Sequence, residues 1–125
     1  MNFEAVIGIE IQVEMKTKSK MFSASPNRFG ALPNTLVTPL DMAFPGTMPR
    51  LNKQAVINAL RVVNALHMEI DHDLYFDRKN YFYADLPKGY QITQDKRPIG
   101  KNGYVEIETS HGVKRISICL LYTSD

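Results

Sequence analysis

Near its C-terminal end the chain reads Tyr104-Val105-Glu106-Ile107-Glu108 and then Val113-Lys114-Arg115-Ile116-Ser117-Ile118. Both runs alternate between apolar and polar side chains, which is typical of strands with one buried face. Ser110-His111-Gly112 lies between them, and a short connection that contains glycine commonly joins antiparallel strands. The sequence therefore predicts a β-hairpin in this region, and with it an antiparallel sheet.

A further strand is predicted near the start of the chain, at residues 6–15, because apolar and polar side chains alternate strictly there. The apolar side chains would share one face: Ile7, Ile9, Ile11, Val13 and Met15. The polar side chains would share the other: Glu10, Gln12 and Glu14. A third, short strand is predicted at Leu74-Tyr75-Phe76.

Residues 52–68 predict an amphipathic helix that follows a proline-rich segment. Asn52 suits the N-cap position, and the apolar residues after it fall at intervals of three and four. Residues 22–50 contain five prolines, which lack the backbone donor of a strand, so an ordered coil is predicted there. The predicted fold class is α+β, with a mainly antiparallel sheet and one main amphipathic helix.

Composition sets limits on the class of protein. A chain of 125 residues is about one domain. The formal net charge of +2 is too small to indicate a nucleic-acid-binding protein, so any basic surface must be local. The single cysteine excludes an internal disulfide framework and a zinc site built on cysteine pairs. No signal peptide and no apolar run of membrane-spanning length are recognised, so an intracellular protein is expected.

Residues 76–94 combine cations with aromatic side chains in a segment that follows neither helical nor strand periodicity. Lysine and arginine can neutralise phosphates, and tyrosine rings can stack on a base or ribose. The segment therefore suggests a pocket for a nucleotide or an RNA end. A structural loop with half-buried tyrosines is the alternative. The sequence contains no P-loop and no Rossmann glycine motif, so ATP would bind outside those schemes.

The polar face of the first predicted strand offers a candidate metal site. Glu10, Gln12 and Glu14 carry hard oxygen donors that suit Mg²⁺, which proteins commonly hold with few side chains plus substrate phosphates. A solvent-facing strand face is the alternative explanation for the same alternation.

Several segments, in matching order, carry a resemblance to a known family. They are Val6-Ile7-Gly8-Ile9-Glu10, residues 16–23, Phe44-Pro45-Gly46-Thr47-Met48-Pro49, and above all residues 76–94 with Pro98-Ile99 and Asn102-Gly103-Tyr104 behind them. From about Phe3 to Ile118 the sequence resembles the B subunit of aspartyl/glutamyl-tRNA amidotransferase.

The resemblance implies an activity, with ATP and Mg²⁺ as cofactors. The family's B subunit phosphorylates the side-chain carboxylate of Glu-tRNA(Gln) or Asp-tRNA(Asn). Ammonia that the amidase subunit releases from glutamine then forms the amide. The implied partners are the amidase subunit, the small subunit of the same complex and the mischarged tRNA. The implied location is cytoplasmic, or organellar in a eukaryote, and the implied architecture is a sheet-rich cradle.

The resemblance also implies roles for individual residues. Glu10 matches a metal-site carboxylate, and Ser19 and Lys20 match a phosphate-facing turn. The pocket loop would supply candidate catalytic residues: Lys79, Tyr81, Tyr83 and Lys88. It would also supply candidate ATP-binding residues: Asn80, Tyr90 and Gln91.

Three departures from the family pattern shape the expectations. Gln12 stands where the family usually has a metal-binding histidine. Residues 38–42 lack the cysteines that many relatives use for zinc, so no zinc is expected. From Cys119 the match is lost, so residues 119–125 are expected to be a non-native tail. Residues 1–118 would then be the N-terminal part of an incomplete cradle domain, inactive in isolation. A non-catalytic module that binds RNA ends or a partner through residues 76–94 is the alternative.

Overall fold

The computed structural model describes residues 1–86 and 88–124, so Pro87 of the predicted pocket loop and Asp125 of the predicted tail lie outside it. The described residues form one helix and five strands. These are α1 (Lys53–Ala65), β1 (Glu69–Ile70), β2 (Asp77–Asn80), β3 (Tyr90–Thr93), β4 (Gly100–Thr109) and β5 (Gly112–Leu121). Strands β1, β4 and β5 form one antiparallel sheet, and β2 pairs with β3 in a second. The predicted α+β class is confirmed.

Helix α1 begins where the sequence predicts, because Asn52 caps it. The side-chain oxygen of Asn52 accepts hydrogen bonds from the backbone N–H groups of Gln54 and Ala55, at 2.9 and 3.3 Å. The helix ends three residues earlier than predicted. His67 adopts a left-handed conformation there, and the Met68 N–H donates to the Val63 carbonyl at 3.0 Å. This Schellman-type cap satisfies the last carbonyls and turns the chain into β1.

The predicted hairpin is confirmed and is longer than predicted. Strands β4 and β5 pair from Gly100–Leu121 to Thr109–Gly112, so that Ser110 and His111 form the turn. Residues 119–121 continue β5. Nearly every residue carries the backbone groups that pair strands, so a native and a non-native sequence could both pair in this way. The expectation of a non-native tail is therefore untested.

Two glycines of β4 let the sheet approach the end of the helix. A Cβ atom at Gly103 would lie 2.6 Å from the Leu66 carbonyl oxygen, and one at Gly100 would lie 2.7 Å from a Val63 methyl group. The Tyr104 N–H donates to the same Leu66 carbonyl at 2.8 Å. The close contact between helix and sheet therefore depends on glycine, which has no side chain, at both positions.

Replacing Gly103 by alanine is expected to lower the free energy of unfolding of this chain by about 1–3 kcal/mol, because the new methyl group meets backbone that cannot yield easily. Urea unfolding measures the change. Gly8→Ala is the matched control, since nothing lies within 4 Å of a Cβ atom at Gly8. Equal stabilities of the two variants would contradict the packing described here.

The predicted strand at residues 6–15 is not formed, and this prediction is wrong for the described structure. Residues 1–17 have no helix or strand assignment. The side chains of Ile7 and Ile9 are both 83% exposed. Alternation defines two faces, but a strand also needs a neighbour for its backbone groups, and no described residue pairs with this segment. The strand predicted at residues 74–76 is likewise absent, since β2 begins at Asp77.

The core consists of two clusters of buried side chains. One joins the proline-rich segment to α1 and β3 and contains Met21, Phe22, Leu40, Ala55, Tyr90 and Ile92. The other lies between α1 and the larger sheet and contains Ala59, Val63, Met68 and Ile99. Residues 22–50 form turns without a regular strand, as predicted. The first cluster brings residues 19–23, residues 38–41 and β3 together. Among the described residues, no helix is long and apolar enough to cross a membrane.

Candidate functional site

Residues 76–94 form a β-hairpin, whereas the sequence predicted an irregular loop. Strand β2 pairs with β3 in the register Lys79–Gln91 and Asn80–Tyr90, and residues 81–89 connect the strands. The Tyr81 N–H closes the loop by donating to the Gly89 carbonyl at 3.0 Å. The prediction failed because β2 reads Asp-Arg-Lys-Asn, four residues with low strand propensity.

The hairpin divides the candidate residues between two faces, because residues opposite each other in an antiparallel pair share a face. Tyr90 and Ile92 are buried, so the face that they share with Asn80 packs on the first core cluster. Lys79 and Gln91 lie on the opposite face. The candidate residues of β2 and β3 are therefore close in space but point in two directions.

Two cationic side chains lie close to the Tyr90 ring on the core-facing side of the hairpin. The Tyr90 hydroxyl donates to the Leu40 carbonyl at 2.9 Å, which fixes the ring against the proline-rich segment. Lys88 Nζ lies 4.9 Å from the ring centroid, and Arg78 Cζ lies 5.7 Å from it. Cations within about 6 Å of an aromatic ring face are attracted to it. Tyr90 thus lies close to two cations of this segment, Lys88 and Arg78.

A second group of candidate residues lies along the loop. Lys79 Nζ lies 5.4 Å from the centroid of the Tyr81 ring, and the Tyr81 and Tyr83 rings are 5.3 Å apart. Tyr83 and Lys88 also border an open cavity of about 490 Å³, here called the loop cavity. Its lining residues are Phe82, Tyr83, Ala84, Leu86, Lys88 and Gly89.

Lys20 and Lys88 border a second, small cavity, here called the lysine cleft. Its volume is about 20 Å³, and it is lined by Lys20, Phe22, Ser23, Leu40, Asp41, Lys88 and Ile92. The structure therefore brings together two lysines that are far apart in the sequence. Ser19, which precedes Lys20, is fixed to the helix N-cap, because its hydroxyl and its carbonyl oxygen both accept hydrogen bonds from the Asn52 side-chain amide, at 3.0 and 2.9 Å.

Asp41, which the sequence reasoning missed, organises the walls of the lysine cleft. Its carboxylate accepts hydrogen bonds from the Ser23 hydroxyl at 2.8 Å, the Thr38 N–H at 2.7 Å and the Thr38 hydroxyl at 2.8 Å. Lys20 Nζ donates to the other carboxylate oxygen at 3.2 Å. Burial raises the pKa of Asp41, but these hydrogen bonds together lower it by more, so the pKa lies below its ordinary value. The Thr38-x-x-Asp41 spacing, a pattern typical of capping boxes, was the available signal.

The two candidate metal ligands lie in the segment without regular structure. Glu10 and Gln12 are both exposed, and the only contact described for Glu10 is a 3.5 Å hydrogen bond from the Tyr122 hydroxyl. Burial, and then the charge of Glu10, raise the pKa of Tyr122. Among residues 1–86 and 88–124, no three histidine, cysteine or acidic side chains converge as a metal site would require. The donor chemistry of Glu10 and Gln12 suits Mg²⁺, but they would supply at most part of its coordination.

Comparison with known proteins places this site in a family. The sequence model of the GatB/GatE catalytic domain matches residues 5–122. The chain belongs to this family. The matched residues of this GatB/GatE catalytic domain include both walls of the lysine cleft and the whole β2–β3 hairpin.

Several curated relatives match this chain, and each is named as the B subunit of aspartyl/glutamyl-tRNA(Asn/Gln) amidotransferase. The relative from Mycoplasmopsis agalactiae is 62% identical over 117 residues, which are 94% of this chain and 25% of the relative. The relatives from Lysinibacillus sphaericus and Geobacillus thermodenitrificans are 54% and 53% identical over 125 residues, 100% of this chain and 26% of each relative. The chain thus spans about a quarter of the length of these relatives.

Proposed function

We propose that this chain is part of the B subunit of a tRNA-dependent amidotransferase, a carbon–nitrogen ligase of protein biosynthesis. The match of 53–62% identity over nearly the whole chain carries this proposal. In the proposed reaction a side-chain carboxylate oxygen of Glu-tRNA(Gln) or Asp-tRNA(Asn) attacks the γ-phosphorus of ATP, and ADP leaves. Ammonia derived from glutamine then attacks the acyl carbon. Phosphate leaves with its electron pair, and the new amide nitrogen loses a proton.

The proposed role of this segment is to position ATP and neutralise its phosphates. A carboxylate has no adequate leaving group, and phosphoryl transfer to it depends mainly on alignment and on stabilisation of charge. Lys20 and Lys88 border one cleft, which is only large enough for a water molecule, so a phosphate group that they share would lie at its mouth. Tyr90 and Asn80 would support this face, with Ser19 beside Lys20. Lys79 would counter phosphate charge from the opposite face of the hairpin, where Gln91 also lies. Tyr81 and Tyr83 would line the loop, where an RNA end could stack.

We propose Mg²⁺ as the metal, with Glu10 and Gln12 as ligands from this segment. The ion would supply charge neutralisation for the phosphates when bound. The proposal rests on the oxygen donors of these two residues, and other ligands would have to come from substrate phosphates, water or further protein groups. We expect no zinc site at residues 38–42, because Thr38 and Asp41 are engaged there in a hydrogen-bonded cluster.

The proposed partners are the amidase subunit, the small subunit and the mischarged tRNA, as parts of one heterotrimeric enzyme and its substrate. Residues 1–118 would form the N-terminal part of the catalytic domain of the B subunit. Among the described residues no three histidine, cysteine or acidic side chains converge on a metal site, and Glu10 and Gln12 lie on backbone without strand pairing. We therefore expect the isolated chain to form no amide.

Lys79→Ala in the full-length subunit, assembled with its partners, is expected to weaken binding of ATP with Mg²⁺ at least tenfold. The lost ammonium group no longer counters phosphate charge, and a charged hydrogen bond is worth about 1.5–3 kcal/mol. Titration calorimetry measures the affinity. Lys114→Ala, an exposed lysine at the far end of the β4–β5 hairpin, serves as control. RNA binding that is indifferent to nucleotide, together with no ATP binding, would favour the non-catalytic module.

A further inference from the structure

The 36–44 loop, meaning residues 36–44 of the proline-rich segment, holds the Lys20 side chain at two points. Lys20 Nζ donates to the Leu36 carbonyl at 2.7 Å and to an Asp41 carboxylate oxygen at 3.2 Å. A lysine ammonium group has three donors, so these two bonds leave one to be directed elsewhere. Lys20 therefore has a defined direction at the cleft, whereas most lysine side chains sample many rotamers.

The Asp41 carboxylate is itself fixed, which makes it able to fix Lys20. Ser23 and Thr38 together supply three hydrogen bonds to its second oxygen. The Asp41 side chain is 14% exposed, against 38% for Lys20. A carboxylate held by three donors on one side presents its remaining oxygen in one direction. The fixed partner of the pair is thus Asp41, and Lys20 is the partner that reaches the surface.

The same loop also holds the other wall of the cleft. Leu40, the neighbour of Asp41, accepts the hydrogen bond from the Tyr90 hydroxyl, and the Tyr90 ring lies beneath Lys88. The loop consequently sets the position of Lys20 directly and that of Lys88 through Tyr90.

We infer that Asp41 is a positioning residue that directs the Lys20 ammonium group toward the phosphates of bound ATP. This inference rests on the proposed function. Asp41 does not touch the nucleotide in this arrangement and acts through Lys20. Loss of the Asp41 charge should then change the ATP KM only while Lys20 is present. A merely structural role of Asp41 would change it whether or not Lys20 is present.

A double-mutant cycle in the full-length subunit within its complex tests the inference. Asp41→Asn is expected to raise the ATP KM about tenfold, the order of effect of one charged hydrogen bond, with a smaller change in kcat. Lys20→Ala is expected to raise it at least as much. In the double variant the Asp41 substitution should add less than about twofold, because its target is gone. Asp71→Asn, which disrupts the exposed ion pair with Arg97, is the matched control and should leave the KM unchanged.

Each outcome decides between the inference and its rivals. Equal effects of Asp41→Asn with and without Lys20 would overturn the positioning role, as would an unchanged KM in Asp41→Asn when Lys20→Ala is impaired. Wild-type protein without ATP dependence would overturn the proposed function itself. If Asp41→Asn fails to fold, Asp41→Glu keeps the charge but moves the carboxylate by one methylene group. The same cycle then applies, and a KM equal to that of the wild type would contradict the inference.

Discussion

Lys88→Ala is expected to lower ATP-dependent amide formation at least a hundredfold, more than any other single lysine change in this segment. Lys88 borders both the lysine cleft and the loop cavity, so its ammonium group can reach a phosphate from the boundary between them. Removing one preorganised group that stabilises developing charge typically costs about 10²–10³ in kcat. Single-turnover measurement of tRNA-bound amide in the full-length complex gives the rate.

Two comparisons make the Lys88 result specific. Lys114→Ala removes the same ammonium group from an exposed position on β5 and should keep the rate within about twofold of wild type, as expected for a surface substitution. Lys88→Arg keeps the positive charge and should retain more activity than alanine, although its planar guanidinium fits the site differently. A wild-type rate in the Lys88→Ala variant would show that Lys88 does not bind the phosphates. The proposed ATP site at the lysine cleft would then be wrong.

The elements that the sequence predicted well are those formed by local contacts. The Asn52 cap depends on residues two and three positions away, and the β4–β5 hairpin extends outward from a two-residue turn; both are found where expected. The strand predicted at residues 6–15 was wrong because pairing is non-local: alternation at Ile7 and Ile9 cannot indicate which backbone will accept the hydrogen bonds. Local sequence patterns therefore predict the faces and the ends of helices and strands better than they predict which strands will pair.

The same reasoning explains what was found and missed at the site. Lys20 and Lys88 were both selected from sequence, but nothing in their spacing predicted that they border one cleft. Asp41 was missed because two of its partners, Ser23 and Lys20, precede it by 18 and 21 positions. Residue types that bind phosphate can be recognised in a sequence, whereas the groups that orient them become visible only after the chain has folded.

Phe22→Ala is expected to cost about 3–5 kcal/mol of the free energy of unfolding, because alanine leaves a cavity in the first core cluster. The Phe22 side chain is 2% exposed, and its ring meets the Phe76 ring edge to face at 5.0 Å. Typical domains are stable by about 5–15 kcal/mol, so much of the chain could unfold. Urea unfolding of this chain, followed by circular dichroism, measures the difference from wild type.

Phe29→Ala is the matched control for this change, because the Phe29 side chain is 105% exposed. It should shift the free energy of unfolding by no more than about 0.5 kcal/mol. Equal losses in the two variants would mean that Phe22 is not packed as described. Phe22 also lines the lysine cleft, so its loss should loosen the contact between residues 19–23 and β3. The substitution with the largest effect on stability would thus also disturb the lysine cleft, since Phe22 belongs both to the first core cluster and to the lining of that cleft.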